Sequence, residues 1–401
     1  MTRRRVYVHG LGAVSALGTT WPETMSGLAA GKTAIAEVTS FDVRGFPCTV
    51  AASVRDPPEG DGDRRVRLAL AAGAEAWSSS TVSAEPQRVG VFVGAESGRG
   101  SWKTILALTR AAGGSGTFDH RRFGTQAVAL AEQIGASRVS PAAVASALAR
   151  QIGARGPVQT VSLACASGSA AIVEAARAIR LGACDVALCG GVGADVDPLM
   201  LSAFGLLGVL SSRGVSRPFD VRRDGFVVGE GAAMIVLSAE RGSSTVEIGG
   251  VGRSLDANHL TAPDADGGGA ARAMAAALRD AGARGVDYVQ AHGTSTPTGD
   301  PVEAAALRRV LGSEAGSVPV SSVKGALGHW IAGAGALGFL CATEAVLSGT
   351  VLPTAGLQEP DATCDLPHVI GGAIRREVSS ALVNSFAFGG ANSCIFVRRA
   401  A

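Results

Sequence analysis

Short β-branched runs alternate with Ala- and Leu-rich stretches along most of this chain. Strand-like segments fall at residues 6–8, 89–93, 186–189, 233–237, 246–251, 286–290, 381–385 and 394–397, and helix-like ones at 167–181, 270–280, 301–311 and 334–347. A chain that switches this way between two apolar periodicities buries its faces by layering helices on sheets, so the pattern predicts an α/β fold. The polar segment ERGSST, 240–245, lies between two strand-like runs and reads as a junction of two halves, 1–240 and 241–401. The second half again opens on a long strand followed by helix, strand and helix, the pattern an internal duplication leaves.

Hydrophobic residues make up 47% of the 401 and charged ones 17%, which argues against disorder, and the net charge of +2 gives no nucleic-acid footprint. Basic groups at 3–5, 64–67, 121–122 and 222–223 read as solvated faces, with an acidic protein partner as the alternative. The seven cysteines, at 48, 165, 184, 189, 341, 364 and 394, are odd in number and lack CxxC spacing, so reduced thiols and a cytoplasmic setting are expected. VYVHGLGAVSALG, 6–18, has a histidine and glycines where a signal peptide needs a continuous apolar helix. No run reads as long enough to span a bilayer. GAGALG at 333–338 matches GxGxxG but lacks a preceding strand. GKT at 31–33 has Ser26 where a phosphate loop needs its first glycine, and SSVK at 321–324 lacks the partner motifs of penicillin-recognising enzymes.

VSLACASGSAA, 161–171, sets Cys165 where a strand-like run gives way to a helix-like one. A buried core thiol accounts for the cysteine alone. The start of a helix, however, lowers a thiol pKa, and the small neighbours Ala164, Ala166, Ser167 and Gly168 leave backbone N–H groups free to hold an oxyanion. A nucleophilic cysteine needs a histidine. Of six, His292 opens the turn HGTSTPTGDPVEA and His329 sits in SSVKGALGHWIAGAGALG, each between an extended run and a helix. Lysine stands only at 32, 103 and 324, and Lys324 lies in a small, apolar context where a buried ammonium needs a carboxylate such as Glu303 or Asp300.

The ordered set ACASG, HGTSTPTGDPVEA, SSVKGALGHWIAGAGA and NSFAFGGANS closely resembles the β-ketoacyl-acyl carrier protein synthases, the decarboxylating condensing enzymes of fatty acid and polyketide synthesis. VHGLGAVSALG, SRPFDVRRDGFVVGEGA and DANHLTAP match as well, so the resemblance covers essentially the whole chain. It implies a thiolase fold of two similar βαβαβαββ halves in five α-β-α-β-α layers, 1–240 carrying the cysteine and 241–401 both histidines, and a dimer. Carried onto this sequence, it makes Cys165 the acyl-accepting nucleophile and His292 and His329 the two histidines of the Cys-His-His subtype. Thiolases use a second cysteine, and starter-unit synthases an asparagine, among those partners. Lys324 becomes the structural-electrostatic lysine, with Glu303 in its network and Asp300 beside it. Thr294 and Thr296 become contacts of the phosphopantetheine arm. The N–H groups of Cys165 and Phe388 form the oxyanion hole, with Phe388 also the gate in AFGG beside Gly389 and Gly390. Ser97 and Phe204 fall among the substrate-lining positions. No metal or organic cofactor is implied, since substrates ride on the phosphopantetheine of an acyl carrier protein.

Ala387 replaces the first glycine of the usual GFGG gate, an exchange expected to stiffen it. Ser97 is smaller than the aliphatic residue common there. Trp330 is bulkier than the usual leucine or threonine, and Gly208 stands where a polar or basic residue helps dock the carrier, with Arg138 or the 64–67 cluster as substitutes. These departures point towards a polyketide or secondary-metabolite enzyme. The partners expected are acyl carrier protein and either a second copy or a cysteine-less chain-length factor, with no nucleic acid and no membrane. Two other roles are a non-catalytic chain-length-factor subunit, which the intact Cys165, His292 and His329 oppose, and an acyltransferase that stops before chain extension.

Overall fold

The computed structural model describes residues 4–59, 63–98, 101–113, 116–131 and 139–401. Its core is one order of elements repeated. The first series runs β1 (Tyr7–Val14), α1 (Arg64–Ser78), β2 (Val89–Gly94), α2 (Ala142–Ile152), β3 (Val158–Val161), α3 (Ser167–Arg180), β4 (Val186–Ala194) and β5 (Glu230–Ser238). The second runs β6 (Val246–Leu255), α4 (Gly268–Ala281), β7 (Tyr288–Gln290), α5 (Gly299–Leu311), β8 (Val320–Ser321), α6 (Ala334–Ser348), β9 (Ser380–Phe386) and β10 (Ala391–Arg399).

The sheet order is β8-β7-β9-β10-β6-β1-β5-β4-β2-β3. Within each series the third strand therefore pairs with the second, and then come the fourth, fifth and first. The senses repeat too: the first two pairings of each series are parallel and the last two antiparallel. The two sets meet where Tyr7 of β1 pairs with Glu247 of β6. This repeated topology is the thiolase fold.

Side chains alternate along each strand and so feed two cores. On β5, Ala233, Ile235 and Leu237 point into the core between the sets, while Ala232, Met234 and Val236 join the one beneath α1 and α2. On the second set, Leu382, Cys394 and Phe396 pack under α4 and α5. Helices α3 and α6 pack on each other between the two sets, which completes five layers.

Helix α6 corrects one expectation from the sequence. The segment Ile331–Ser348 has the length and mean hydropathy, 1.6, to cross a membrane, yet 83% of it is buried inside the protein. It is apolar all round because it is the middle layer of the fold. The small residues after Cys165 likewise answer to packing. A Cβ on Gly168 would lie 2.9 Å from the Ala332 carbonyl oxygen, and one on Gly335 2.8 Å from the Ser169 nitrogen. Close approach of α3 to the start of α6 therefore requires glycine at both positions.

The basic groups expected as solvated faces are mostly engaged internally. Arg4 pairs with Asp185, Arg5 with Glu247, Arg222 with Asp220 and Arg223 with Asp361. All seven cysteines are free and buried.

Candidate active site

Cys165 sits in a single tight turn, Ala164–Ala166, between the end of β3 and the first residue of α3. Ala164 takes a left-handed φ of 45°, unusual for a residue with a Cβ, and this bend presents the sulfur beyond the helix start. The Ser167 hydroxyl accepts the Leu163 N–H at 2.8 Å and donates to the Ala164 carbonyl at 2.7 Å, holding the turn from inside.

The histidines arrive from the second series. His292 follows β7 by two residues, and its N–H and that of Gly293 donate to the two oxygens of Glu303 at 2.8 Å each. Asp300, in the first turn of α5, accepts the N–H groups of Thr294, Ser295 and Phe219 at 3.0, 3.1 and 2.7 Å. Two acidic side chains on one helix thus pin the whole loop that follows β7. His329 lies before α6, with its N–H donating to Val227 and its carbonyl accepting from Gly229.

His329 Nε2 stands 3.1 Å from Cys165 Sγ, and the Ile331 N–H donates to His329 Nδ1 at 3.2 Å. An Nδ1 that accepts a hydrogen bond is unprotonated, so in the neutral ring the proton is on Nε2, facing the sulfur. The two imidazoles are edge-to-face with centroids 5.7 Å apart, and Phe226 flanks His329 at 5.1 Å. Burial and the nearby Lys324 ammonium push both histidines well below the ordinary value, so they stay neutral at pH 7.

Lys324 is buried and donates to the His292 carbonyl oxygen. The sequence suggested a carboxylate partner. The link to Glu303 instead runs through the His292 peptide, which Lys324 holds by its oxygen while Glu303 holds the residue's N–H. Burial brings the ammonium down to about 8, with Glu303 acting to keep it charged. Burial pushes the Cys165 thiol up to about 12, while Lys324, the Phe388 N–H and the residue's own N–H act towards the thiolate. Burial pushes the Asp300 carboxyl up to about 7 against its N–H donors.

Cys165, His292, His329, Thr294, Thr296 and Phe388 line one cavity of about 330 Å³. Thr294 and Thr296 join their hydroxyls at 3.0 Å on its wall. Phe388 lies in the turn Phe388–Gly390, where Gly389 and Gly390 have φ of 82° and 77°. That turn is latched by the loop after β6, since the Gly389 N–H donates to Leu260 at 2.7 Å and the Asp256 N–H to Gly390 at 2.9 Å. Phe204 is not on the cavity wall but one ring behind it, edge-to-face with Phe226 at 5.5 Å. Ser97 is exposed and lies outside this lining, because the chain has left β2 three residues earlier.

The unusual positions also have structural accounts. Trp330 is fully buried, its Nε1 donating to Leu327 at 3.0 Å, and it fits because Gly231 leaves the space its six-membered ring occupies. Gly208 lines the cavity mouth with nothing near its missing Cβ, and Leu206, Leu207 and Leu260 are exposed at 90%, 51% and 81%. The basic cluster does not substitute there. Arg64 is bonded to Glu230 and Arg65 is buried against Asp63, while Arg138 lies outside the described residues.

Reading the sequence missed Phe226, Asp256, Asn384 and Glu96. The first three lie inside motifs that carry the resemblance but received no role. Asn384 donates to Glu303 at 3.0 Å. Glu96 has no sequence signal beyond its place after β2.

Residues 3–242 match the family model "Beta-ketoacyl synthase, N-terminal domain" and residues 245–358 "Beta-ketoacyl synthase, C-terminal domain". The chain is 34% identical over 434 residues to a 3-oxoacyl-[acyl-carrier-protein] synthase 2 of Coxiella burnetii, covering 100% of this chain and 99% of that one. A solved type II polyketide ketosynthase, in complex with its acyl-carrier protein and bound to a hexaketide, superposes with a TM-score of 0.87 at 28% identity, covering 100% of both chains. The ishigamide ketosynthase/chain length factor gives 0.85 at 30% identity, again over 100% of both.

Proposed function

The chain belongs to the beta-ketoacyl synthase family of acyltransferases, and on that premise we propose that Cys165, His292 and His329 perform its decarboxylative condensation. The observation that carries this reading is the 3.1 Å approach of His329 Nε2 to Cys165 Sγ, with the Ile331 N–H fixing the tautomer.

In the first half-reaction the cysteine sulfur attacks an acyl thioester, the acyl group moves to Cys165, and the departing carrier thiol leaves with the cysteine's proton. The Cys165 and Phe388 N–H groups, which favour negative charge at this site, hold the oxyanion of that step, each donor supplying roughly 3 kcal/mol. In the second, malonyl carrier protein enters past Thr294 and Thr296. Neutral His292 and His329 donate to the malonyl thioester oxygen, so that loss of CO2 leaves an enolate and not a free carbanion. The enolate carbon attacks the acyl-cysteine carbonyl, and the β-ketoacyl chain departs on the carrier with the Cys165 thiolate restored. Lys324, Glu303 and Asp300 hold the His292 loop and its field, and the Phe388 turn with Gly389 and Gly390 forms the gate. Phe204 supports Phe226 from behind the cavity wall, and Ser97, exposed outside the lining, has no part in holding the acyl chain.

The same reading takes 1–240 as the half bearing the nucleophile and 241–401 as the half bearing both histidines. It takes acyl carrier protein as the substrate carrier, so that no separate cofactor takes part, and the cytoplasm as the setting. The partner subunit is a second copy or a chain-length factor. Solved relatives named as a ketosynthase with its acyl-carrier protein and as a ketosynthase/chain length factor support both partners. Two histidines on one cavity wall with the sulfur favour chain extension over acyl transfer alone. Intact-protein mass spectrometry after incubation with an acyl carrier protein thioester tests the assignment: one acyl group on the wild type and none on Cys165→Ala is expected. Equal labelling of both overturns it.

A further inference from the structure

We propose that Glu96 is a positioning residue for the nucleophile, tying the end of β2 to the turn that presents Cys165. The proposal rests on the reading of Cys165 as the acylated residue.

The Glu96 carboxylate spans two serines of the cysteine segment. One oxygen accepts from the Ser162 hydroxyl at 2.8 Å, and the other lies 3.1 Å from the Ser167 hydroxyl. Ser167 is the residue that bridges Leu163 N–H and Ala164 carbonyl, so Glu96, bonded to Ser162, lies against the one side chain that closes the left-handed step at Ala164. The backbone on the other side is fixed as well, since buried Arg65 donates to the Glu96 carbonyl. A clamp at this place is useful because a residue with a Cβ at φ 45° is strained and persists only where its surroundings hold it.

The test is the kinetics of acylation by an acyl carrier protein thioester, with the acylated residue located by peptide mass spectrometry, in wild type, Glu96→Ala and Glu96→Gln. Cutting the tie in Glu96→Ala misplaces the sulfur and lowers kcat for acylation of Cys165 about tenfold with KM unchanged. Glu96→Gln keeps an oxygen that accepts from the Ser162 hydroxyl and recovers most of that loss. An unchanged kcat in Glu96→Ala, a loss that appears in KM alone, or no recovery in Glu96→Gln overturns the proposal for Glu96. Acylation that maps to another cysteine in the wild type overturns instead the assignment of Cys165.

Discussion

His329 Nε2 meets Cys165 Sγ at 3.1 Å although 164 residues separate them in sequence. The contact exists because α3 and α6 lie side by side in the middle layer, with Cys165 in the tight turn before α3 and His329 two residues ahead of the turn Ile331–Gly333 before α6. The duplicated topology thus does chemical work, bringing the same point of each series, just before its third helix, to one place.

If His329 donates to the developing enolate, removing it costs the second half-reaction and spares the first. For His329→Ala we expect CO2 release from malonyl carrier protein to fall about 10²- to 10³-fold, the usual loss for one oxyanion donor. Acylation of Cys165, followed by intact mass, should remain measurable. Parallel loss of both would place His329 in acyl transfer instead.

Lys324 gives an alkaline limit. Its ammonium, brought down to about 8, holds the His292 carbonyl by a charge-assisted bond that weakens on deprotonation, so condensation should decline as pH rises through about 8. Stability moves the other way. The folded value lies below the ordinary 10.5, so between about 8 and 10.5 the unfolded chain binds the extra proton and stability from this group rises with pH. Lys324→Met should abolish the alkaline decline along with most activity, and it should flatten the stability profile above pH 8 in urea titrations at successive pH values.

The α/β architecture and the meeting of Cys165, His292 and His329 at one cavity were legible in the sequence because β-branched runs alternate with Ala-rich helices, and because ACASG, HGTST and GALGH keep their order. What escaped lies where the signal is short or spatial. Strand β3, VQTV, is four residues long with Val158 and Gln159 exposed at the sheet edge, so no alternation betrays it. Helix α1 opens on RRVR, a basic group that reads as surface and hides the Leu- and Ala-rich run behind it. The link from Lys324 to Glu303 runs through a peptide and not through a side-chain pair, and nothing in a linear pattern reports that. The small residues after Cys165 were legible as special, but for Gly168 the reason is the helix it touches.

Acid should destabilise the protein through its histidines. Burial holds His292 and His329 below the ordinary 6.5, so under that pH the unfolded chain takes up protons that the native site refuses. Stability then falls as pH drops from about 6.5 towards 4.5, by up to about 1.4 kcal/mol per pH unit for each histidine. The double variant His292→Ala/His329→Ala should show a shallower slope over that window in chemical denaturation. An identical slope would assign the acid sensitivity to other groups.

Packing around Trp330 should prove intolerant in both directions. A Cβ on Gly193 would lie 1.8 Å from the Trp330 carbonyl oxygen, which is backbone and has no flexible end to swing away. Gly193→Ala should therefore cost about 1–3 kcal/mol as an overpacking change. Trp330→Leu empties part of a fully buried site and leaves the Leu327 carbonyl without its Nε1 partner, for a loss of about 3 kcal/mol. Because Trp330 follows His329 directly, the freed space also lets the imidazole drift from the sulfur. The leucine variant should then lose more decarboxylation than Cys165 acylation at temperatures where it is still fully folded by circular dichroism. Equal loss of both activities, in step with unfolding, would show that Trp330 serves the core alone.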